Sequence, residues 1–325
     1  MMRMKPVLLI ILTTISLQLQ AQIFTAAEVR DFRLRQDSLK KLAYQIVNSE
    51  NAAVRFRSDS SFTRMMVRAL LKKNSFYFPF DSLVSISRMY SDDSLFRIFT
   101  WQVVKDDNYC RQRGFIQMKS NDGSLKLFPL RDVSEFTAVP VDTIANNLGW
   151  IGAVYYRIVT KEHAGKKYYT LFGYDENNTR TTKKWMDVLW FEDAGTPVFG
   201  LQNAFSYAAD SIPKPSVNRF LLEYKKDGRA RVQYDEEAGL IIYDHLVSET
   251  NEPQKKYTLI PDGDYEGFEW KNGQWLHIDK VFDFKLKDGE APVPEALDEN
   301  KQKVNTPVPA KKPVTPVKKK PGGGN

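Results

Sequence analysis

Cysteine is almost missing from this chain: Cys110 is the only one among 325 residues. That excludes a disulfide framework or a thiolate zinc cluster built from this chain alone. Histidine is nearly as scarce, with His163, His245 and His277, so a His-based metal site or triad would need almost all of them in one place. The sequence also lacks a Gly-x-Ser-x-Gly elbow, a His-Glu-x-x-His pair, a phosphate-binding glycine loop and a Rossmann fingerprint. No catalytic residue, metal ligand or cofactor is therefore assigned from the sequence.

What is present has the balance of a globular protein, 42% hydrophobic, 13% aromatic and 27% charged. The first residues form a basic head (Arg3, Lys5), an apolar run from Val7 to Leu12 and a small residue at Ala21. This pattern predicts a signal peptide over 1–21, too short in its apolar part to span a bilayer, and hence a periplasmic or extracellular protein without a transmembrane segment after cleavage. From about Lys285 the composition turns to Pro, Lys, Ala and Val, which predicts a solvated, disordered tail over 285–325.

These ends account for most of the charge. Of the formal net +7, nine Lys against five acids in 285–325 contribute +4 and Arg3 with Lys5 contribute +2, leaving +1 for 22–284. Within that remainder, 22–74 carries +6 and 75–284 carries −5. The basic stretch reads as the solvated face of a helical segment rather than a nucleic-acid patch. A cell-envelope polymer or a protein partner suits an exported chain better than nucleic acid.

Residues 22–74 are expected to be helical and to pack on the body. A capping box at Thr25 and Glu28 opens a helix over 25–48, with Val29, Phe32, Leu39, Leu42, Ala43 and Ile46 on one face. A second helix is expected from about Ser61, carrying Phe62, Met65, Met66, Ala69 and Leu70, with Asn74 as its stop. From Ser75 to residue 284, short β-prone runs alternate with turn signals such as Asn121-Asp122-Gly123, Asp227-Gly228, Asp262-Gly263 and Asn272-Gly273. The fold class is mainly β with an N-terminal helical segment, built from antiparallel hairpins as a sandwich, curled sheet or barrel.

Side-chain pairing discriminates between registers at two of these turns. At Asp227-Gly228 a three-residue loop pairs Glu223 with Arg231 and Leu222 with Val232, and is preferred. At Asn272-Gly273 a three-residue loop pairs Phe268 with Leu276. A two-residue loop there would oppose Trp270 to Trp275 and Glu266 to Asp279, setting a carboxylate pair near His277 at the expense of like-charge repulsion.

In either register Trp275, His277 and Asp279 alternate on one strand and share a face. An aromatic platform beside an imidazole and an acid suits a sugar or other polar ligand, so these three are the candidate binding residues, against the plainer reading of a solvated sheet face. Asp262 and Asp264 lack the calcium-loop pattern and read as a turn. His245 is expected to bond a backbone group within a strand, His163 to sit solvated at a hairpin tip, and Cys110 to act as a small buried apolar group.

The runs Phe96-Arg97-Ile98-Phe99-Thr100-Trp101, Gly149 to Tyr156, Tyr243-Asp244-His245-Leu246 and Pro261-Asp262-Gly263 resemble a family of uncharacterised exported bacterial proteins over about residues 60 to 280. The resemblance implies export and a β-rich body, and brings no assigned activity or functional residue. The expected function is that of a noncatalytic envelope or secreted binding or structural protein. The alternative is a hydrolase of envelope or extracellular polymer acting through Asp279, His277 and Glu266.

Overall fold

The computed structural model describes residues 23–282, so the leader and the tail expected from the sequence lie outside the described residues. Helix α1 (Ala26–Asn48) opens on the expected capping box: Thr25 Oγ1 accepts from the Glu28 amide at 3.2 Å, and Glu28 accepts from the Thr25 amide at 2.7 Å. Helix α2 (Ala52–Leu70) starts well before Ser61, because Asn51 caps the amides of Ala53 and Val54. Its first half was hidden from a hydrophobic pattern by polar groups on the buried face. Ser58 donates to Gln45 at 2.8 Å, and Asp59 accepts the Trp101 indole N–H at 2.8 Å.

The first sheet joins β1 (Ser87–Tyr90), β2 (Phe96–Asp106), β3 (Tyr109–Met118) and β4 (Lys126–Leu130) as an antiparallel meander in chain order. Next come β5 (Ala145–Asn146), β6 (Val154–His163), β7 (Lys166–Asp175), β8 (Thr181–Phe191) and β9 (Pro197–Phe199). The last strands are β10 (Phe205–Ser206), β11 (Phe220–Lys225), β12 (Val232–Asp235), β13 (Leu240–Ser248), β14 (Leu259–Lys271) and β15 (Gln274–Ile278). A second sheet runs β5-β9-β8-β7-β6, with β11 pairing the first half of β8. A third runs β10-β15-β14-β13-β12, in which the short β10 is parallel to β15.

Three apolar cores hold these elements as four layers. Phe99, Trp101 and Val103 of β2 face the helices against Phe32, Leu39, Phe62 and Met66. The alternate residues Phe96 and Ile98 face the second sheet, whose far side meets Ile241, Tyr243, Phe268 and Trp275 of the third. The strict alternation of strand side chains thus feeds two cores from one sheet. Each fully buried Phe or Leu contributes roughly 1.5–3 kcal/mol relative to exposure. The architecture is mainly β, antiparallel sheets following two N-terminal helices, and among the described residues no sheet closes into a barrel.

Three local expectations are corrected. At Asp227-Gly228 there is no hairpin: β11 pairs with β8, and β12 pairs with β13. Leu222 and Val232 belong to one apolar core between sheets rather than to one ladder. At Asn272-Gly273 the two-residue loop is the one formed, setting Trp270 opposite Trp275. Both turn residues have positive φ, 53° and 81°, as a type I′ turn requires. The repulsion that argued against this register never arises, since β15 ends at Ile278 and Asp279 is turned out to solvent. Finally, Asp262-Gly263 is no chain reversal; it lies inside β14, where Gly263 takes φ 99°.

Candidate functional site

The irregularity in β14 positions the polar groups of the third sheet. Leu246 pairs with Pro261 and Asp244 with Tyr265, so His245 alone stands opposite Asp262, Gly263 and Asp264. Such a bulge turns side chains away from the plain alternation of the strand, and here it brings His245 Nδ1 to 2.9 Å from Asp262. One pair further along, regular alternation puts Tyr243 and Glu266 side by side on the inner face, with His277 of β15 next to them.

The result is a continuous row of alternating acids and imidazoles. His277 Nδ1 lies 2.8 Å from Asp210, which arrives on the loop after β10. His277 Nε2 lies 3.1 Å from Glu266 and 2.9 Å from the Tyr243 hydroxyl. Tyr243 donates its O–H to the same Glu266 oxygen at 2.6 Å. The other Glu266 oxygen faces His245 Nε2 at 3.6 Å, and His245 reaches Asp262 in turn. Tyr207 covers the His277 ring at 4.8 Å between centroids. The row runs from the interior outward: the His277 side chain is 0% exposed and that of His245 is 38% exposed.

Burial alone would lower the His277 pKa, but hydrogen bonds to Glu266 and Asp210 more than offset it and hold the imidazole above its ordinary value. Burial raises Glu266, and the bonds from His277 and Tyr243 outweigh it, leaving that carboxyl below its usual range. Burial, then the Glu266 charge, push the Tyr243 phenol far above its ordinary value, so its proton stays in place. The protonated form of His277 is thus favoured by its two carboxylate neighbours, and in that form both ring nitrogens donate. A general base needs a lone pair facing substrate, and this imidazole has both nitrogens committed inside the fold.

The sequence candidates separate. His277 lies at the centre of the row. Trp275 is fully buried, donating its indole N–H to Thr170 at 2.9 Å and packing edge-on against Trp270, so it offers no open face for stacking. Asp279 is exposed beyond the end of β15, without a hydrogen bond or ion pair among the described residues. His245 bonds a carboxylate instead of a backbone group. His163 ends β6 in an exposed position beside Gly273, and Cys110 is half-buried with its thiol pushed up to about 12 by burial and then by Asp175.

Asp210, Tyr207 and Tyr243 were not anticipated. Tyr243 follows from strand parity once the register with Glu266 is known; Asp210 sits in an irregular loop and carries no periodic signal. Among the described residues no three His, Cys, Asp or Glu side chains are arranged to hold a metal ion, and no helix is long and apolar enough to cross a membrane. Comparison with protein-family models, with curated proteins and with solved structures finds no match.

Proposed function

We propose that this is a noncatalytic binding or structural protein exported to the cell envelope or beyond. The observation that carries the noncatalytic part is the closure of His277: the one imidazole set among acids in the interior is fully buried and has both nitrogens bonded to them. Such a network stiffens the third sheet and fixes the loop bearing Asp210. The basic head, apolar run and Ala21 support export, and the four resembling runs support kinship with uncharacterised exported proteins. The alternative hydrolase reading loses one of its two acids, because Asp279 makes no hydrogen bond or ion pair to His277 or Glu266.

The experiment incubates the full chain with purified envelope polysaccharide and measures both co-sedimentation and the release of new reducing ends. Co-sedimentation without release is expected, unchanged in Glu266→Gln. Release of reducing ends by the parent protein that vanishes in a Glu266→Gln variant of equal melting temperature would overturn the reading.

A further inference from the structure

Strand β3 outruns its neighbour. Its pairing with β4 begins only at Gly114 opposite Leu130, so the stretch from Tyr109 to Arg113 is an open edge on that side. The chain leaves β4 at Arg131 and folds over this edge as a short turn, Ser134–Phe136. Between edge and turn lies a cleft of about 320 Å³, walled by Arg111, Arg113, Arg131, Tyr109 and Phe136, with Gln112 along its base. The turn is anchored, since Arg131 exchanges backbone hydrogen bonds with Asn147 and Trp150 at 2.8 and 3.1 Å.

Three arginines and two acids, Asp132 and Glu135, line this cleft, and most of them make no ion pair with one another. Arg113 is engaged by Asp59 at 3.2 Å. Among the described residues Asp132 makes no ion pair with an arginine; its carboxylate accepts from the amides of Gln112, Ser134 and Gly152. Arg131 makes no side-chain hydrogen bond or ion pair among the described residues. Arg111 donates to the Tyr109 hydroxyl at 3.5 Å, lies over the face of Phe56 and feels the Asp59 and Glu135 charges, with no carboxylate among the described residues in hydrogen-bond contact. Two guanidinium forks are thus held open in one concavity. Gln112 is 3% exposed and donates to Asp175, while its Oε1 has no partner. Phe136 stands 86% exposed at the rim, and Glu135 beside it acts on Arg111 through its charge but accepts no side-chain hydrogen bond among the described residues.

Open arginine forks ask for a carboxylate or another planar anion. Unpaired acceptors at base and rim ask for hydroxyl donors, and ring faces ask for the apolar face of a sugar. One ligand class carries all three. We propose that this cleft binds an acidic saccharide, with the uronate carboxylate held between Arg111 and Arg131, the sugar face on Phe136 and Tyr109, and hydroxyls donated to Glu135 and, after a small shift of its amide, to Gln112. The proposal deepens the binding reading above and rests on it.

The test titrates the full chain with a tetramer of galacturonic acid by calorimetry and follows backbone amides by NMR. Controls are the neutral galactose tetramer, inorganic phosphate and a hexaglutamate peptide. Saturable binding of the uronide is expected, with shifts confined to 109–113 and 130–136 and affinity about tenfold or more lower in Arg131→Gln and in Arg111→Gln. Phe136→Ala should weaken it as well. Arg131 and Phe136 support no core contact, so their variants stay folded. Absent binding, binding indifferent to both arginine variants, or phosphate or hexaglutamate binding as tightly as the uronide would each sink the proposal. Envelope co-sedimentation that survives in the Arg111→Gln/Arg131→Gln double variant defeats the cleft alone, whereas hydrolysis of the bound uronide defeats the noncatalytic reading.

Discussion

Asp210 lies 67 residues before His277, yet its carboxylate sits 2.8 Å from the imidazole Nδ1. The pair ties an irregular loop to the third sheet, and Glu266 closes the other side of the ring. Replacing His277 by Leu would leave two nearly buried carboxylates facing each other without a cation. Loss of a buried partner of this kind costs about 3–5 kcal/mol, read as a fall in the urea midpoint. Asp210→Asn keeps an acceptor for the Nδ1 proton and should cost less, about 1–3 kcal/mol. Equal midpoints for His277→Leu and the parent would show that the network contributes nothing.

The same geometry fixes a pH dependence. The His277 pKa is raised in the fold, so its contribution is fully present below the ordinary imidazole value, about 6.5, and is lost as pH rises through the higher folded value. The Glu266 pKa is lowered, so its contribution is present above about 4.3 and is lost as pH falls through the lower folded value. Stability attributable to the pair therefore peaks between the two ordinary values and declines on the alkaline side through His277. Urea midpoints measured across pH should show that alkaline decline in the parent and lose it in His277→Leu. A parent profile that stays flat above neutrality would contradict the assignment.

Much of this was legible in the chain, and the failures are instructive. The capping box of α1 was readable because local chemistry and burial agree there. The start of α2 was not, since Ser58 and Asp59 occupy buried positions that hydrophobic periodicity treats as solvent. Strand pairing between β11 and β12 was plausible locally, but the same alternation of Phe220, Leu222 and Tyr224 serves equally well to line a core between sheets. At Asp262-Gly263 a turn signal proved to be a bulge, because one glycine at positive φ can swell a strand without reversing it. Of the candidate trio, Trp275 and His277 share a face as parity requires, and the face is interior.

Cys110 provides a direct chemical check. Burial, then the charges of Asp175 and Glu176, push its thiol up to about 12, so almost no thiolate exists at neutral pH. Reaction with a disulfide reagent such as DTNB should be slow in the native protein and complete rapidly in urea. Native labelling at the rate of a free thiol would mean that this part of β3 opens readily.

Gly152 links the cleft to the core in a way that composition alone conceals. A Cβ added there would stand 2.3 Å from the Gln112 Cβ and 2.7 Å from the Asp132 carboxyl carbon. Neither neighbour can retreat freely, since Gln112 is buried in β3 and Asp132 is held by several amides, the Gly152 N–H among them. Gly152→Ala should therefore cost about 1–3 kcal/mol through overpacking and weaken uronide binding by displacing the base of the cleft. Gly165, with φ 72° and nothing within 4 Å of an added Cβ, supplies the contrast. Alanine there introduces only backbone strain of about 1–2 kcal/mol and should leave uronide affinity unchanged. Thermal melts of both variants, paired with the calorimetric titration, separate the two effects. Unaltered affinity in a destabilised Gly152→Ala would detach the cleft from the packing beneath it.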